Sequence, residues 1–371
     1  MRVLLAPDKF KGSLTADEVC EAMCLGLHDF DPTIEVTTLP LADGGEGTLD
    51  VLEKVLNPQR VYLTVNDPLY RPIDTYYLKK GEQVFIEMAK ASGLQLLSKE
   101  ERNPLKTSTY GTGELIKDAL EKGAGEVYLL IGGSATNDAG IGMAEALGYQ
   151  LKAQHFDIHQ SNGGALQPLE QLLKPDSDLT EGVQFIVLTD VQNLLLGPKG
   201  GTNIYGRQKG ADYDMIMALE EGMKGLARML NNGYENVPGA GAAGGLGYGA
   251  MSFLGAELKP GIQTVMDICD FKDQMEGVDL IISGEGKTDL QTVEGKVIAG
   301  VSEAARAQTV PMGVVCGMVE NEKEVQEAIK AFGIYPLMQE GISTEQAMRQ
   351  AFELVRARTH SLIRDFHNQK H

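Results

Sequence analysis

No apolar run in this chain approaches the roughly 20 residues that a bilayer crossing requires. The opening MRVLLAPDKF meets Pro7, Asp8 and Lys9 too soon for a secretory leader, so a cytoplasmic location is expected. Cysteine is scarce. Cys20, Cys24, Cys269 and Cys316 show neither a CxxC pairing nor a Cys/His zinc spacing, which argues for buried, reduced thiols and against a disulfide framework. Positive charge is in deficit, with 33 Lys+Arg against 52 Asp+Glu and a net charge of -19. A surface of that sign repels nucleic acid and anionic membrane, and neither is expected as a partner. Histidine is missing from every glycine-rich segment, which removes the base that a Ser-His-Asp mechanism needs. His155 and His159 form an HxxxH pair, but no helical pattern flanks them and no metal site is expected there.

What the chain does have is length and a repeated alternation. Its 371 residues exceed one ordinary core, and two domains are expected. RVLLA is a short apolar run followed by the turn DKFKGS. Thr15 then reads as a helix N-cap, with Glu18 in the capping-box position and Leu14 and Val19 at staple spacing. EVTTLPL leads into ADGGEGT and a helix from about Leu49 to Leu56. Toward the other end, VDLIIS leads to GEGKTD and a helix stopping before Pro311. MGVVC precedes a helix capped by Asn321, and IYPLM precedes a last long helix begun by Ser343 and Gln346.

Such strand-then-helix units describe a parallel sheet covered on both faces. The middle differs: YLTVNDPLYRPIDTYYLKKGEQVFIEM alternates polar and apolar residues around turn signals, as antiparallel strands do. A helix around Glu114 to Leu120 and the strands VYLLI and FIVL follow. The expected fold is α/β in two domains. One is a discontinuous, Rossmann-like parallel-sheet domain of residues about 1–58 plus 278–371. The other is an inserted α/β domain with a mixed sheet over about 59–277, an active-site cleft lying between the two.

Ligands of an open parallel sheet bind beyond the carboxyl ends of its strands. DKFKGS, ADGGEGT and GEGKTD fall on that edge, each joining glycine to a carboxylate and two adding lysine. IGGSATNDAGIG, between VYLL and MAEALG, is either a tight strand-to-helix turn or a cradle for an anion. ADGGEGT also reads as a plain turn, with Asp43 and Glu46 near a positive helix end. GEGKTD is not a P-loop, because GxxxxGK[ST] needs glycine where Ile281 stands. Gly239, Gly241 and Gly244 spell GxGxxG, but NNGYENVP upstream is no buried strand, and close packing or a mobile gate suits the segment better. Lys199, Arg207 and Lys209, cations in a glycine-rich stretch of an acidic protein, are candidates for phosphate or carboxylate contact.

Taken together, APDKFKGSL, LADGGEGT, IEMAKASGL, NPLKTSTYGTGELI, IGGSATNDAGIGM, PGAGAAGGLGYG, LKPGI and ISGEGKTDLQT resemble the bacterial glycerate kinases of type 1 in order and spacing. The resemblance runs to about Gly317. It departs at Thr189, Leu194 and Arg207, where that family leads one to expect cysteine, proline and proline. It implies two α/β domains and transfer of the γ-phosphoryl group of ATP, with Mg²⁺, to D-glycerate, typically at the 2-hydroxyl. A kinase of another small hydroxy or sugar acid, or a non-catalytic metabolite-binding module, is the alternative. Oligomerisation stays open.

Phosphoryl transfer asks mainly for positioning and charge stabilisation, and the residues are assigned on that basis. Asp190 is expected as the base or a metal ligand, with Asp8 as the rival base. Lys9, Lys11 and Ser13 are expected at the substrate or the transferring group, and Asp43, Gly44, Gly45 and Glu46 at glycerate. Gly132, Gly133, Ser134, Thr136 and Asn137, with Lys209, are expected to cradle nucleotide phosphates. Lys287 is placed near the γ-phosphate, and Asp289 and Asp138 at Mg²⁺.

Overall fold

The computed structural model describes residues 1–153, 157–158, 160–289, 296–339 and 341–370. His155 and His159 lie outside the described residues, as do Leu290, Gln291 and Thr292 of the ISGEGKTDLQT stretch. The chain opens with β1 (Arg2–Leu5), α1 (Ala16–Phe30), β2 (Glu35–Thr38) and α2 (Thr48–Leu56). Then come β3 (Gln59–Asn66), β4 (Pro72–Lys80), β5 (Gln83–Glu87), α3 (Ala89–Ser92), α4 (Tyr110–Glu121), β6 (Glu126–Leu130) and α5 (Ile141–Ala146). The short strands β7 (Gln150–Lys152), β8 (Asp157–Ile158) and β9 (Gln171–Leu173) lead to β10 (Gln184–Leu188), α6 (Gly201–Tyr205), α7 (Tyr213–Leu230), α8 (Ala242–Leu254) and β11 (Glu257–Lys259). The remainder is α9 (Gly261–Ile268), α10 (Phe271–Gln274), β12 (Leu280–Thr288), α11 (Val297–Ala307), β13 (Met312–Val319), α12 (Glu322–Ile329), β14 (Ile334–Pro336), α13 (Thr344–Arg349) and α14 (Ala351–Lys370). Among the described residues no helix is long and apolar enough to cross a membrane.

The chain divides into two compact units, Met1–Asp43 with Gly261–His371, and Gly44–Pro260. Strand-and-helix spacing predicts the crossings near 58/59 and 277/278. The difference comes from two helices: α2 packs on β4 and β5 of the inserted unit, and α9 lies beside α11 of the other.

The first unit holds a parallel sheet in the order β14-β13-β12-β1-β2. β1, flanked by β12 and β2, reads VLL because both faces are covered. Val3 and Leu5, with Leu280, Ile282 and Val315, share a core with Val19, Met23 and Leu27 of α1 and Leu362, Ile363 and Phe366 of α14. Leu4 and Ile281 are equally buried and alternate to the opposite face, and α11 packs along β12. The Thr15–Glu18 capping box starts α1 as expected. GEGKT, expected as a loop, is strand, since β12 runs through it and pairs Glu285 with Cys316 and Lys287 with Met318. Asn321 precedes α12 in a left-handed conformation without a side-chain cap. The last long helix is two: Ser343 and Gln346 box the start of α13, and α14 begins after a break.

The inserted unit carries a mixed sheet, β11-β10-β6-β5-β4-β3, parallel from β11 to β5 and antiparallel from β5 to β3. A small antiparallel sheet, β8-β7-β9, accompanies it. The glycine belt forms α8, whose start is distorted: Ala243, Gly244 and Gly245 are all left-handed. The carbonyl of Gly244 there accepts from the amide of Ala139, itself left-handed at φ 51. All four cysteines are free thiols.

Candidate active site

In the first unit the backbone leaving β1 continues between its neighbours. Ala6 N–H donates to Ile282 O at 2.9 Å, Asp8 N–H to Gly284 O at 2.8 Å, and Leu41 N–H to Pro7 O at 2.9 Å. Asp8 is thereby set between the segment carrying Asp43 and the strand carrying Glu285. Burial pushes its carboxyl up to about 7, helped by the Asp43 charge and, less, by Glu285. The Lys9 amide, 2.6 Å from Asp8 Oδ1, and the Lys9 charge oppose that shift. A carboxyl in this range is matched to accepting a proton at neutral pH.

The rest of DKFKGS folds over the same edge. Phe10 is buried and closes a turn with Leu14. Ser13 Oγ donates to Phe10 O at 3.1 Å, so this hydroxyl, expected at the substrate, braces the turn. Lys11 is exposed, and its amide sits beside Gly286, where an added methyl would lie 3.3 Å from Lys11 N. Lys287 points outward between two carboxylates, 3.2 Å from Asp289 and 3.0 Å from Glu320.

In the inserted unit the strands β5, β6 and β10 end in register, with Glu87 opposite Leu130 and Leu130 opposite Leu188. Their carboxyl ends place Glu87, the IGGSATND loop and Asp190 on one edge. Asp190 is half-buried just beyond β10. Glu87 is 3% exposed and accepts from the amides of Gly47 (3.2 Å) and Leu49 (3.5 Å). Burial raises its carboxyl, against the pull of Lys90 and those two amides. The Gly44–Gly47 turn meets the loop after β6 directly: a methyl on Gly132 would stand 2.6 Å from Gly45 Cα. Gly133, left-handed at φ 75, lies next to it, and a methyl there would be 4.0 Å from Glu46 Cβ.

The side chains of this loop turn inward. Lys209, expected at a phosphate, is 2% exposed, and its ammonium donates to Ser134 Oγ at 2.7 Å and Thr136 O at 2.6 Å. Burial lowers its pKa to about 7, against the Asp138 charge. Asn137 Nδ2 donates to Thr202 Oγ1 at 3.0 Å. Asp138, expected at Mg²⁺, is fully buried. It takes the Thr109 amide and hydroxyl (2.8 Å each), Gly140 N–H (3.1 Å) and Gly142 N–H (3.3 Å). Four donors from the starts of α4 and α5 meet this carboxylate, which is closed off from the loop's rim and holds the two helices together. What the loop leaves at its rim is the backbone of Gly132 and Gly133; Lys199 and Arg207 are exposed farther along.

Two carboxylates went unremarked in the sequence, Glu285 and Glu87. Each ends a run of buried strand residues, IISGE and VFIE, and a charge in that position is the signal that marks them.

The profile of the glycerate kinase family matches residues 3–367. A glycerate kinase of Bacillus subtilis (strain 168) is 39% identical over 95% of this chain and 94% of its own length. The glycerate 2-kinase of Escherichia coli (strain K12) is 36% identical over 95% and 94%. A crystal structure from Salmonella typhimurium LT2, described as a candidate glycerate kinase 2, superposes with a TM-score of 0.85 at 35% identity. It covers 100% of this chain and 99% of its own.

Proposed function

The chain belongs to the glycerate kinase family, and from that premise we propose that it is a phosphotransferase moving the γ-phosphoryl group of ATP to the 2-hydroxyl of D-glycerate. The name of the Escherichia coli relative supports the 2-position. The observation that carries the chemistry is Asp8, a half-buried carboxyl raised to about 7 beside Asp43 and Lys9 at the edge of a parallel sheet.

An alcohol attacking phosphorus must shed its proton, and in a loose transition state it does so late, so a base of near-neutral pKa suffices. Asp8 accepts that proton. Asp190, beyond β10, is the competing assignment. Lys9 and Lys11 offset the charge of the glycerate carboxylate and the moving phosphoryl group. Asp43 and Glu46 accept hydrogen bonds from the glycerate hydroxyls. Lys287, on exchanging a carboxylate partner for phosphate, serves the γ-phosphate. The Gly132–Gly133 backbone meets nucleotide phosphates, with Ser134, Thr136, Asn137 and Lys209 shaping the loop from inside.

Mg²⁺ bound with a nucleotide needs one or two carboxylates rather than a protein cage. Among the described residues no three His, Cys, Asp or Glu side chains form such a cage. Asp138 does not fit, for the reason above. Asp289, partly exposed beside Lys287, fits, and an ion there would neutralise phosphate charge.

Phosphorus NMR of the product formed from D-glycerate and Mg-ATP tests this reading. A 2-phosphoglycerate resonance is expected. A 3-phosphoglycerate product overturns the position alone, and ATP turnover that stays at background with D-glycerate overturns the function.

A further inference from the structure

Helix α2 has two anchors of different kinds. It starts at Thr48 after Gly47, which is left-handed at φ 88 and brings no side chain to cap the free amides. Those amides are met from another element: Glu87, at the end of β5, takes the N–H groups of Gly47 and Leu49 on its Oε2. A carboxylate at a helix N-terminus is favoured by the unpaired N–H groups and by the helix dipole, more so where water is excluded. The turn itself is closed by Thr48, whose Oγ1 donates to Gly45 O at 2.7 Å. The far half of the helix is held separately, by the Arg60 guanidinium on Glu53, with Nη2 to Oε2 at 2.5 Å.

We propose that Glu87 is a positioning residue of the glycerate site, whose buried carboxylate fixes the Gly44–Gly47 turn and so the placing of Glu46. This rests on the reading that the turn binds glycerate. Glu87 touches no reacting atom in this scheme. It acts by holding the turn against Gly132, where a displacement of about 1 Å at a substrate-orienting group costs on the order of 100-fold in rate.

The second anchor supplies the control, because a merely structural role for Glu87 would be shared by Glu53. Glu87→Gln, Glu53→Gln, Glu46→Ala and the Glu87→Gln/Glu46→Ala double variant are compared by steady-state kinetics and thermal unfolding. Glu87→Gln is expected to lower kcat/KM for D-glycerate about 10-fold or more, with KM for ATP within about twofold of the parent. Glu53→Gln is expected to match the parent in kinetics. The double variant is expected to be little worse than its worse single, since both substitutions act through one turn. Should Glu87→Gln fail to fold, Glu87→Asp replaces it with the same outcomes. Parent-like kinetics in the Glu87 variant, an equal loss in Glu53→Gln, or multiplying losses in the double variant overturn the proposal. Parent-like activity in Glu46→Ala removes the turn from the glycerate site and the proposal with it; an impaired Glu46→Ala beside an unimpaired Glu87→Gln removes the proposal alone.

Discussion

Gly45 and Gly132 pack backbone against backbone, close enough that a methyl on Gly132 would stand 2.6 Å from Gly45 Cα. Two loops that are 87 positions apart in sequence therefore share one surface. Gly132→Ala forces them apart. The clash is with main chain, which cannot swing away, and a destabilisation of about 1–3 kcal/mol is expected. Catalytic efficiency falls by more than stability alone explains. Urea unfolding and steady-state kinetics on the same preparation separate the two effects.

Asp8 carries a pH dependence of defined sign. Its folded-state pKa, about 7, lies above the ordinary 3.8, so the folded protein holds this proton more tightly than the unfolded chain does. Its contribution to stability is therefore greatest at low pH and is lost as pH rises through the window from 3.8 to about 7. Asp8→Asn keeps the acceptor for the Lys9 amide and removes the half-buried charge. Its melting temperature relative to the parent is expected to be higher at pH 8 than at pH 4. Activity runs the other way: kcat/KM of the parent rises with pH toward a plateau above about 7. Asp8→Asn is expected to lose roughly 10²- to 10³-fold in turnover, and Asp190→Asn less. Full turnover in Asp8→Asn with collapse in Asp190→Asn transfers the role of base to Asp190.

Lys209 shows the opposite dependence. Burial lowers its pKa from 10.5 to about 7, so between those values the unfolded chain binds a proton that the folded protein does not. Stability from this group rises with pH across that window. Lys209→Met removes the rise, and it leaves Ser134 Oγ and Thr136 O without their donor. The difference in urea midpoint between parent and variant is expected to move in the parent's favour from pH 7 to pH 9.5. KM for ATP is expected to increase while that for D-glycerate holds.

Ala243 is an L-residue in a left-handed conformation, at φ 53 and ψ 38. That geometry costs roughly 1–2 kcal/mol beyond glycine, partly offset by the backbone freedom glycine loses on folding. Ala243→Gly is expected to stabilise the protein by about 0.5–1 kcal/mol. An unchanged or lower unfolding midpoint would show that its methyl group contributes packing of equal size.

The sheets were legible because their strands are apolar on both faces or alternate cleanly, and because Thr15–Glu18 and Ser343–Gln346 spell capping boxes. The fold class follows from those features. What the letters do not carry is where a polar side chain points. Ser134, Thr136, Asn137, Asp138 and Lys209 have the composition of an anion site, yet all five are buried in a network that holds the loop. Sequence spacing cannot distinguish a hydroxyl offered to a ligand from one spent on a neighbour 75 residues away. GEGKT misled for a related reason: glycines that usually break a strand are accepted in β12 because a side chain at Gly284 or Gly317 would strike the backbone of the paired strand. Glu53 and Arg60, which tie α2 to the inserted unit, carry no local pattern that would have moved the boundary.

The β1–β12 junction sets an order of assembly during synthesis. The bond from Ser283 Oγ to Ala6 O joins groups 277 positions apart, so β1, paired early with β2 on one side, waits for its other neighbour β12 until most of the chain has been translated. The inserted unit, contiguous from Gly44 to Pro260, emerges whole before that partner exists and can close its core first. The nascent chain meanwhile carries an apolar ribbon with one edge unsatisfied. Late completion of the discontinuous sheet is thus the stage at which a ribosome-bound chaperone would matter most, and at which a truncated transcript would yield aggregates in place of a smaller enzyme.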